Sequence, residues 1–471
     1  MSLAEFLQYT QWLFIIYFLG LQSGYILLSL LALTNIWGYM QAHSHTGVPR
    51  LQSGLELPVS LLVPAYNEEG GITDSVLALL QLNYPAFEVI VINDGSTDGT
   101  MQELINSFDL QPFPEAYRVR IKTKNIRNIY VSKKFKNIRV IDKDNGGKAD
   151  SLNAGINLSR YPLFCAVDAD SILQPSSLEK VVAPFMEEEN VVATGGTIRI
   201  LNGCEVENGF VNKVQLPRHP MALLQVAEYL RAFLFGRLGW TSINGLLIIS
   251  GAFGVFHKET VVSVGGYLTN TIGEDMELVV RMHRILRERK RPYKIVFVPD
   301  PICWSEAPQD LKTLRSQRIR WQRGLCESLT KNMGLLKQGG IVGWVAFPFM
   351  FIFEFLGPVI EIIGAIVMIT SFATGYASIE TTILFLTVAI GFGMMLSITA
   401  ILLEEMSFHV YKSPIYALIL AFVALVENLG YRQLNSYWRM IAMVQWMRGT
   451  KSSWGKMQRN SSWKKDDKPT N

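Results

Sequence analysis

The chain contains 471 residues, carries a formal net charge of only +4, and is 49% hydrophobic. A domain usually needs ~100 to 200 residues, so this length allows one large domain together with membrane segments, and the small net charge gives no general support for nucleic-acid binding. The apolar residues are concentrated near the N-terminus and between residues 341 and 429, which is typical of a membrane protein with a soluble central part.

The cysteines indicate a reducing environment for the central part. They lie far apart in the sequence and do not form the CxxC spacing of a zinc or redox site. Neither a zinc site nor a disulfide framework is therefore predicted, and a cytoplasmic location fits best. The four cysteines are Cys165, Cys204, Cys303 and Cys326.

The N-terminal stretch is predicted to be a retained membrane anchor. Residues 12–40 contain no charged side chain, and this run is longer than the ~20 residues that a helix needs to cross a bilayer. A signal peptide would begin with basic residues, whereas here the first basic residue is Arg50. The positive-inside rule then places the N-terminus outside and the central domain inside.

From residue 57 the pattern changes to that of a parallel α/β unit. Short apolar runs at residues 58–64 and 88–92 flank a helix-like stretch that reaches about residue 82. Ligands of such units bind beyond the carboxyl ends of the strands. Asp94, which directly follows the second run, is therefore placed where a nucleotide would be held, although its sequence Asn-Asp-Gly also suits a plain turn.

A strongly basic segment lies between residues 108 and 142. It suits either contact with anionic lipid headgroups or, as the more common case, a solvated hairpin. Its basic residues are Arg118, Arg120, Lys122, Lys124, Arg127, Lys133, Lys134, Lys136 and Arg139.

Two polar motifs follow the next predicted strands. After a strand at residues 137–141, the loop NGGK offers paired glycines for close backbone approach, and Lys148 offers a cation for a nucleotide or diphosphate. A buried-strand run at residues 163–167 leads to Asp168 and Asp170, whose carboxylates would face one ligand if the chain stays extended. Such oxygen ligands suit Mg²⁺ or Mn²⁺, which would neutralise a diphosphate and assist its departure. A surface turn is the plain alternative.

Two more motifs close the central part. The sequence GED opens a predicted helix over residues 276–287, where Glu274 and Asp275 would also be favoured as simple caps by the helix dipole. After a strand at residues 295–299, residues 310–337 are amphipathic and basic, as expected for a helix on the membrane surface. This helix carries the sequence QRIRW, in which Gln317 and Trp321 share one face; a tryptophan beside arginines also suits a lipid anchor.

Three apolar runs beyond residue 340 are transmembrane candidates, at residues 341–372, 381–403 and about 414–429. The first contains Pro358 and is predicted to be an interfacial helix bent into a span. Glu354 and Glu361 lie on one face of it, and together with Glu427 they either line a polymer path or sit at helix ends among the headgroups. Three crossings would place the basic tail outside although its charges favour the inside, so the last span is either re-entrant or followed by a return of residues 431–447. Residues 464–471 read as disordered.

The order of these motifs resembles that of the family 2 glycosyltransferases with a GT-A fold. The resemblance covers roughly residues 58–321 and the membrane layout, and it is carried by PAYNE at 64–68, NDGS at 93–96, NGGK at 145–148, DAD at 168–170, GED at 273–275 and QRIRW at 317–321. More narrowly, the chain is similar to the membrane-integrated processive branch, which includes cellulose, hyaluronan, chitin-oligosaccharide and poly-N-acetylglucosamine synthases.

The resemblance implies roles for residues at a donor site. Asp94 and Lys148 would contact the nucleoside end of a UDP-sugar, and Asp168 would also contact the nucleotide. Asp170 would bind the Mg²⁺ or Mn²⁺ ion, and Arg320 would address the diphosphate.

The resemblance also implies a base and an acceptor site. Asp275, with Glu274 beside it, would be the general base that takes the proton from the acceptor hydroxyl in an inverting transfer. Cellulose synthases have an aromatic and cysteine-rich sequence where this chain has small residues, which argues against glucose in a cellulose-like register. The residues implied to bind the acceptor are Trp321, Gln317, Ser250 and Gly251.

These features predict an integral protein of the plasma membrane with a cytoplasmic GT-A domain, an α/β domain with a mixed, mainly parallel sheet. The predicted function is inverting, processive polymerisation of a UDP-sugar, with UDP-N-acetylglucosamine as the first choice, into a β-linked exopolysaccharide that passes through the chain's own membrane helices. The alternative is transfer of one sugar to a membrane lipid; a catalytically silent scaffold is disfavoured because each acidic motif is present. The predicted partners are the UDP-sugar, the growing polysaccharide and the lipid bilayer, with room for an accessory export subunit.

The predicted division of the chain has five parts. They are an N-terminal transmembrane helix in residues 1–45, the catalytic domain in 55–305, amphipathic interfacial helices with the QRIRW motif in 306–340, transmembrane helices in 341–430, and an amphipathic basic tail with a disordered end in 431–471.

Overall fold

The computed structural model describes residues 3–44 and 56–450, so the predicted disordered end lies outside the described residues. A central α/β domain is flanked in sequence by long apolar helices. Its strands are β1 Val59–Ala65, β2 Phe87–Asn93, β3 Leu110–Pro112, β4 Ile126–Ser132, β5 Ile138–Lys143, β6 Leu163–Val167, β7 Ile172–Leu173, β8 Val191–Ile200, β9 Glu205–Glu207, β10 Phe210–Lys213, β11 Phe253–His257 and β12 Lys294–Ser305.

The helices are more numerous in the second half of the chain. They are α1 Leu3–Ser44, α2 Ile72–Leu80, α3 Thr100–Phe108, α4 Lys148–Leu158, α5 Ser177–Glu187, α6 Pro220–Tyr229, α7 Gly236–Ser242, α8 Lys258–Ser263, α9 Glu274–Glu288, α10 Leu311–Lys331, α11 Phe347–Phe349, α12 Gly357–Ala373, α13 Ile379–Leu386, α14 Phe392–Ser407, α15 Pro414–Val426 and α16 Arg432–Met447. Short π-helical segments join several of them, among them Leu230–Phe235 between α6 and α7, and a 3-10 helix spans Met333–Gln338.

Ten strands form one mixed sheet in the order β3-β4-β5-β2-β1-β6-β11-β8-β12-β7. Strands β4, β7 and β11 run against the direction of the others. The parallel pairs β5–β2, β2–β1 and β1–β6 bring the carboxyl ends of four strands to one edge. The predicted α/β class with a mixed, mainly parallel sheet and additional long helices is confirmed, and the predicted ligand edge exists.

The central strands are buried on both faces. Leu61 and Val63 of β1 enter the apolar layer formed with α2 and α3, whereas Leu62 between them enters the layer formed with α4. Strands covered on both sides read as nearly continuous apolar runs, which is why β1 and β2 could be located from the sequence.

The basic segment forms an edge of this sheet, where β4 and β5 pair as the predicted hairpin. It is not solvated throughout, however. Arg139 of β5 is only 3% exposed and forms ion pairs with Glu88 and, at 3.0 Å, with Glu115. Because β5 lies between β4 and β2, its side chains have little access to solvent or lipid, and the prediction of a solvated or lipid-facing segment is wrong at this residue.

Within the described residues, three helices are long and apolar enough to cross a membrane: Tyr9–Gln41, Ile379–Ser407 and Pro414–Met447. The bent pair Val342–Phe355 and Gly357–Ala373, whose axes meet at 48°, is a fourth candidate. The predicted bend of this run is present, and the two helices meet at Leu356, two residues before Pro358. The chain therefore carries the helices that a membrane protein needs.

Residues 432–447, predicted either as part of an amphipathic basic tail or as a returning segment, form a helix. The backbone leaves the helical conformation at Leu429 and Gly430 and resumes as α16, which packs against α10 and α12. Arg432 and Arg439 of α16 face carboxylates of the bent pair. The charges of these two arginines are therefore paired between helices. A count of basic residues, as the positive-inside rule uses it, treats the same charges as a signal of membrane topology.

Several contacts hold the catalytic part against the long helices. Gly239 of α7 lies so close to α1 that a Cβ there would stand 2.4 Å from the Leu28 carbonyl oxygen. Tyr39 of α1 donates a hydrogen bond to Asp300 of β12. Arg199 of β8 and Glu404 of α14 form a buried ion pair at 3.3 Å. The sheet and the membrane candidates thus form one packed unit.

Candidate active site

The predicted motifs converge on one cavity of about 1870 Å³. Asp94, Lys148 and Asp168 line it where β2, β5 and β6 end, and Asp275 and Trp321 line it from α9 and α10. The remaining predicted site residues also line it, namely Asp170, Ser250, Gly251, Glu274, Gln317, Arg320, Glu354, Glu361 and Glu427.

Asp94 organises the glycine loop. Its carboxylate is almost fully buried and accepts hydrogen bonds from the Lys143 ammonium at 2.6 Å, from the Gly146 amide at 3.0 Å and from the Gly147 amide at 2.7 Å. Gly147 has φ +84°, a left-handed conformation that favours glycine. Sequence reasoning missed Lys143, which is fully buried and also pairs with Asp150 at 2.8 Å, because it reads as the end of the basic segment.

Lys148, the first residue of α4, bridges three motifs. Its ammonium forms an ion pair with Asp168, donates to the Gly251 carbonyl oxygen at 3.0 Å, and stands 3.9 Å from Glu274. Burial alone would lower the pKa of Lys148, but the carboxylates of Asp168, Glu274 and Asp275 outweigh it and raise this pKa above its usual range. The lysine therefore stays charged and joins the DAD motif to the GED motif.

The DAD motif is not extended. After β6 the chain turns, and the Ser171 amide donates to the Asp168 carbonyl oxygen at 3.0 Å, so the prediction of an extended geometry is wrong. The turn still leaves Asp168 and Asp170 on the cavity wall.

The donor set suits a divalent ion shared with a substrate. No group of three or more His, Cys, Asp or Glu side chains suited to a metal occurs among the described residues. Mg²⁺ is usually held by one or two carboxylates together with substrate phosphates and water, and carboxylates also suit Mn²⁺. Asp170, to which the resemblance assigns this role, lies on the cavity wall, and Asp168 beside it forms an ion pair with Lys148.

The acids of the GED motif begin α9, which starts at Glu274, two residues earlier than predicted. Asp275 accepts hydrogen bonds from the Gly251 amide at 3.0 Å and from the Met276 amide at 2.8 Å, so its carboxylate is fixed beside the Ser250–Gly251 turn. Glu274 is buried, and burial together with the Asp275 charge raises the pKa of Glu274 to about 7, although Lys148 opposes this. The two neighbouring acids therefore have different environments.

Helix α10 holds the GED motif in place by backbone contact. A Cβ at Gly324 would lie 2.8 Å from the Gly273 Cα, so the backbones of these two segments touch without side chains between them. The Glu327 carboxylate accepts from the Thr271 hydroxyl at 2.8 Å and from the Ile272 amide at 2.9 Å. Neither Gly324 nor Glu327 belongs to a motif, and the sequence carried no signal for them.

The QRIRW helix, which is predicted to lie on the membrane surface, is packed against other helices. α10 packs between α9 and α16, and two of its arginines are buried: Arg318 pairs with Glu228 at 2.7 Å, and Arg323 donates to the Thr450 carbonyl oxygen at 2.6 Å. These two charges are therefore compensated inside the protein, which an amphipathic pattern does not reveal.

Trp321 is the exposed member of the motif. It is 37% exposed, its ring centroid lies 5.7 Å from that of Phe233, and the Arg318 guanidinium carbon lies 4.5 Å from the ring centroid. Gln317 is 8% exposed, and its carbonyl oxygen has no hydrogen-bond partner among the described residues. Arg320 lines the same wall.

The three predicted membrane-depth acids all have basic partners. Glu354 pairs with Arg439 at 2.9 Å and accepts from Tyr25. Glu427 pairs with Arg231 at 2.8 Å. Glu361 accepts from the Ser436 hydroxyl at 2.6 Å and stands 3.7 Å from Arg432. Because these pairs line the cavity, it extends from the sheet edge into the bundle of long helices.

The family model described as "Glycosyl transferase family group 2" matches residues 163–425. The chain belongs to this family. A second model, "Glycosyl transferase family 2", matches residues 60–213 of the transferase, so the predicted glycosyltransferase class is confirmed.

Two curated relatives of the transferase share a name. "Poly-beta-1,6-N-acetyl-D-glucosamine synthase" of Staphylococcus aureus strain MSSA476 is 30% identical over 276 residues, 58% of this chain and 56% of that protein. The protein of the same name from Staphylococcus epidermidis is 26% identical over 275 residues, with the same coverage. The transferase thus matches little more than half of the length of these relatives.

A solved structure shows the fold of the transferase. The "Mannosyltransferase PcManGT from Pyrobaculum calidifontis in complex with GDP-Man and Mn2+" is similar over 93% of this chain and 100% of that chain, with a TM-score of 0.55 and 15% sequence identity. The predicted GT-A fold is confirmed by this similarity, and the described residues also include the helices that are long and apolar enough to cross a membrane.

Proposed function

We propose that the chain is an inverting, processive transferase that polymerises a UDP-sugar, with UDP-N-acetylglucosamine as the donor, into a β-linked polysaccharide and passes the product through its own membrane helices. The observation that carries this proposal is the continuity of the cavity, which joins Asp94 at the sheet edge to Glu361 in the bent helix pair. A transferase that releases its product after one sugar needs no such extension. The name of the curated relatives supports the choice of N-acetylglucosamine.

The donor would bind at the edge where β2, β5 and β6 end. Asp94 and the loop that it fixes would hold the nucleoside, with Asp168 and Lys148 beside it. Asp170 would hold Mg²⁺ or Mn²⁺, which would supply charge neutralisation for the diphosphate when bound. Arg320, whose planar guanidinium suits phosphate oxygens, would stabilise the diphosphate as it leaves.

Asp275 would act as the general base. An acceptor hydroxyl attacks the anomeric carbon from the face opposite the diphosphate, so the new glycosidic bond forms as the bond to the diphosphate breaks, and the hydroxyl proton goes to Asp275. The hydrogen bonds from the Gly251 and Met276 amides fix this carboxylate, which favours a defined direction of proton transfer. Glu274, buried beside Lys148, would position the base without touching the acceptor.

The acceptor would lie on Trp321. Its exposed indole offers a flat apolar surface for the CH face of a sugar ring. Gln317, whose buried carbonyl oxygen is unpaired among the described residues, would contact an acceptor hydroxyl. Ser250 and Gly251, in the turn next to Asp275, would border the same sugar.

The product would leave between the long helices. Glu354, Glu361 and Glu427 with their arginine partners give the membrane-depth part of the cavity a polar wall, and such groups at membrane depth commonly line a pathway. We place the catalytic domain on the cytoplasmic side of the plasma membrane, with residues 1–45 and 341–430 as the membrane parts. An accessory export subunit would receive the polymer on the other side.

The size of the product tests the proposal. Membranes containing the chain are incubated with radiolabelled UDP-N-acetylglucosamine and, in parallel, with other UDP-sugars. A polymer is expected with the first donor. A single lipid-linked sugar would show non-processive transfer instead, and the absence of turnover with every donor would refute the enzymatic proposal.

The base is tested separately with Asp275→Asn. This change keeps the side-chain size but removes the proton acceptor, so we expect loss of polymer while UDP binding is retained. Full activity of Asp275→Asn would refute the assignment. Loss of UDP binding as well would show that the change disturbs the site as a whole.

A further inference from the structure

Arg237, the second residue of α7, is buried without a polar partner. It is 5% exposed, and among the described residues nothing forms a hydrogen bond or an ion pair with it; its Nη1 atom is sealed from solvent. Other buried arginines of the chain differ, since Arg199 pairs with Glu404 and Arg318 pairs with Glu228. Removing a guanidinium from water without a partner is costly, so this residue calls for a functional explanation.

The surroundings of Arg237 are aromatic. Its guanidinium carbon lies 4.5 Å from the ring centroid of Phe233 and 5.8 Å from that of Phe297. Phe233 in turn packs against Trp321. Arg237 therefore belongs to the same wall of the cavity as the proposed acceptor platform.

Arg237 remains a cation in this setting. Burial lowers the pKa of Arg237 to about 10, and the charge of Asp275 offsets part of that effect. At neutral pH the side chain is charged. The two neighbouring rings offer no oxygen or nitrogen acceptor, so the hydrogen-bonding capacity of the N–H groups at the edge of the guanidinium stays unused.

The occupant that suits this edge is an oxygen acceptor without positive charge. A carbonyl oxygen accepts hydrogen bonds from a guanidinium, which is a charge-assisted contact and stronger than a neutral one. An ammonium group placed there would meet a like charge in a poorly solvated wall, which is a strong means of rejection. A 2-acetamido sugar offers the carbonyl, whereas its de-N-acetylated form offers the ammonium.

We propose that Arg237 is a specificity-determining residue, which binds the 2-acetamido carbonyl oxygen of the acceptor sugar and excludes an acceptor that ends in a free amino sugar. The proposal rests on the proposed function, because it concerns the acceptor of that same transfer. On this proposal, α7 selects which terminal sugar of the polysaccharide can act as acceptor. The polysaccharide is then extended only when that sugar is acetylated.

The test compares two acceptors on the full-length protein. Initial rates of transfer from UDP-N-acetylglucosamine are measured with short β-linked oligosaccharides whose non-reducing end is either N-acetylated or de-N-acetylated, at about pH 6.5, where the amine is protonated. The unaltered protein is expected to favour the acetylated acceptor in kcat/KM. In Arg237→Gln we expect that preference to fall by roughly tenfold or more, which is the range for loss of one charge-assisted contact.

Two further variants separate specificity from folding. Arg237→Lys keeps the charge but loses the planar edge, so it should use the acetylated acceptor less well while still rejecting the amine. Arg199→Gln is the matched control, because it alters a buried arginine that does not line the cavity; it should leave the ratio of the two acceptors unchanged even if it lowers both rates.

The outcomes are distinct. An unchanged acceptor ratio in Arg237→Gln would overturn the proposal, as would an equal change of the ratio in Arg199→Gln. If Arg237→Gln does not fold, unchanged kcat/KM for the acetylated acceptor in Arg237→Lys would overturn it. If the unaltered protein extends neither acceptor, the proposed function itself fails, which is a different result from extension without selectivity.

Discussion

The contact between Gly273 and Gly324 gives a sharp test of how the site is held together. Gly324 lies inside α10, the helix that carries Trp321, and Gly273 directly precedes the GED acids. In Gly324→Ala, the new Cβ would lie 2.8 Å from the Gly273 Cα and 3.1 Å from the Gly273 nitrogen. Carbon atoms pack best at about 3.5–4.0 Å, so α9 and α10 must separate by roughly 1 Å at this point.

The expected effects on stability and on rate differ in size. Overpacking costs about 1–3 kcal/mol, but alanine is favoured over glycine inside a helix by about 1 kcal/mol, so the net loss of stability is small. A displacement of about 1 Å between the base and the acceptor platform can reduce a rate about 100-fold. We therefore expect kcat to fall about 100-fold while the melting temperature changes by only a few degrees.

The assay measures polymer formation, UDP binding and thermal unfolding on the same purified protein. UDP binding should fall far less than kcat, because Asp94, Lys148 and Asp168 lie at the sheet edge outside α10, and of the proposed donor contacts Arg320 alone belongs to α10. The matched control is Gly38→Ala in α1, where a Cβ would meet nothing within 4 Å, and it should behave like the unaltered protein. A kcat for Gly324→Ala close to that of the control would refute the reasoning, and so would a parallel loss of UDP binding and of stability.

Three further predictions concern charge. Burial raises the pKa of Glu274 from its ordinary 4.5 to about 7, so between these pH values the native state holds a proton that the unfolded chain has released. The stability of the unaltered protein relative to Glu274→Gln should therefore be greatest below pH 4.5 and should fall as the pH rises through 7. A difference in melting temperature that stays constant with pH would contradict this. Arg318→Ala removes the ion-pair partner of Glu228 and leaves it the hydrogen bond from the Tyr431 hydroxyl, so it should lose about 3 kcal/mol in unfolding experiments. Arg318→Met combined with Glu228→Gln should recover part of that loss; no recovery would show that the pair is not coupled. EDTA should stop transfer and Mn²⁺ or Mg²⁺ should restore it, with Asp170→Asn needing more metal; an equal metal requirement in both proteins would exclude Asp170 as a ligand.

Short-range patterns determined much of this protein in advance. Apolar runs of strand length located β1, β2 and β6, because strands buried on both faces leave continuous apolar sequence. Runs of membrane length located the long helices. The motifs could be read as one site because residues at the carboxyl ends of parallel strands must meet at one edge, and the cavity contains each of them.

Only the tertiary structure decided which groups contact the charged and the small residues. Arg139, Arg318, Arg432 and Arg439 look like solvent or lipid contacts in the sequence, but each has a carboxylate from a distant part of the chain. The period of a helix or strand tells which residues share a face, and it does not tell what covers that face. For the same reason the contact of Gly273 with Gly324, the loop support from Lys143 and the unpaired Arg237 had no sequence signal, since each depends on how elements far apart in the chain pack against one another.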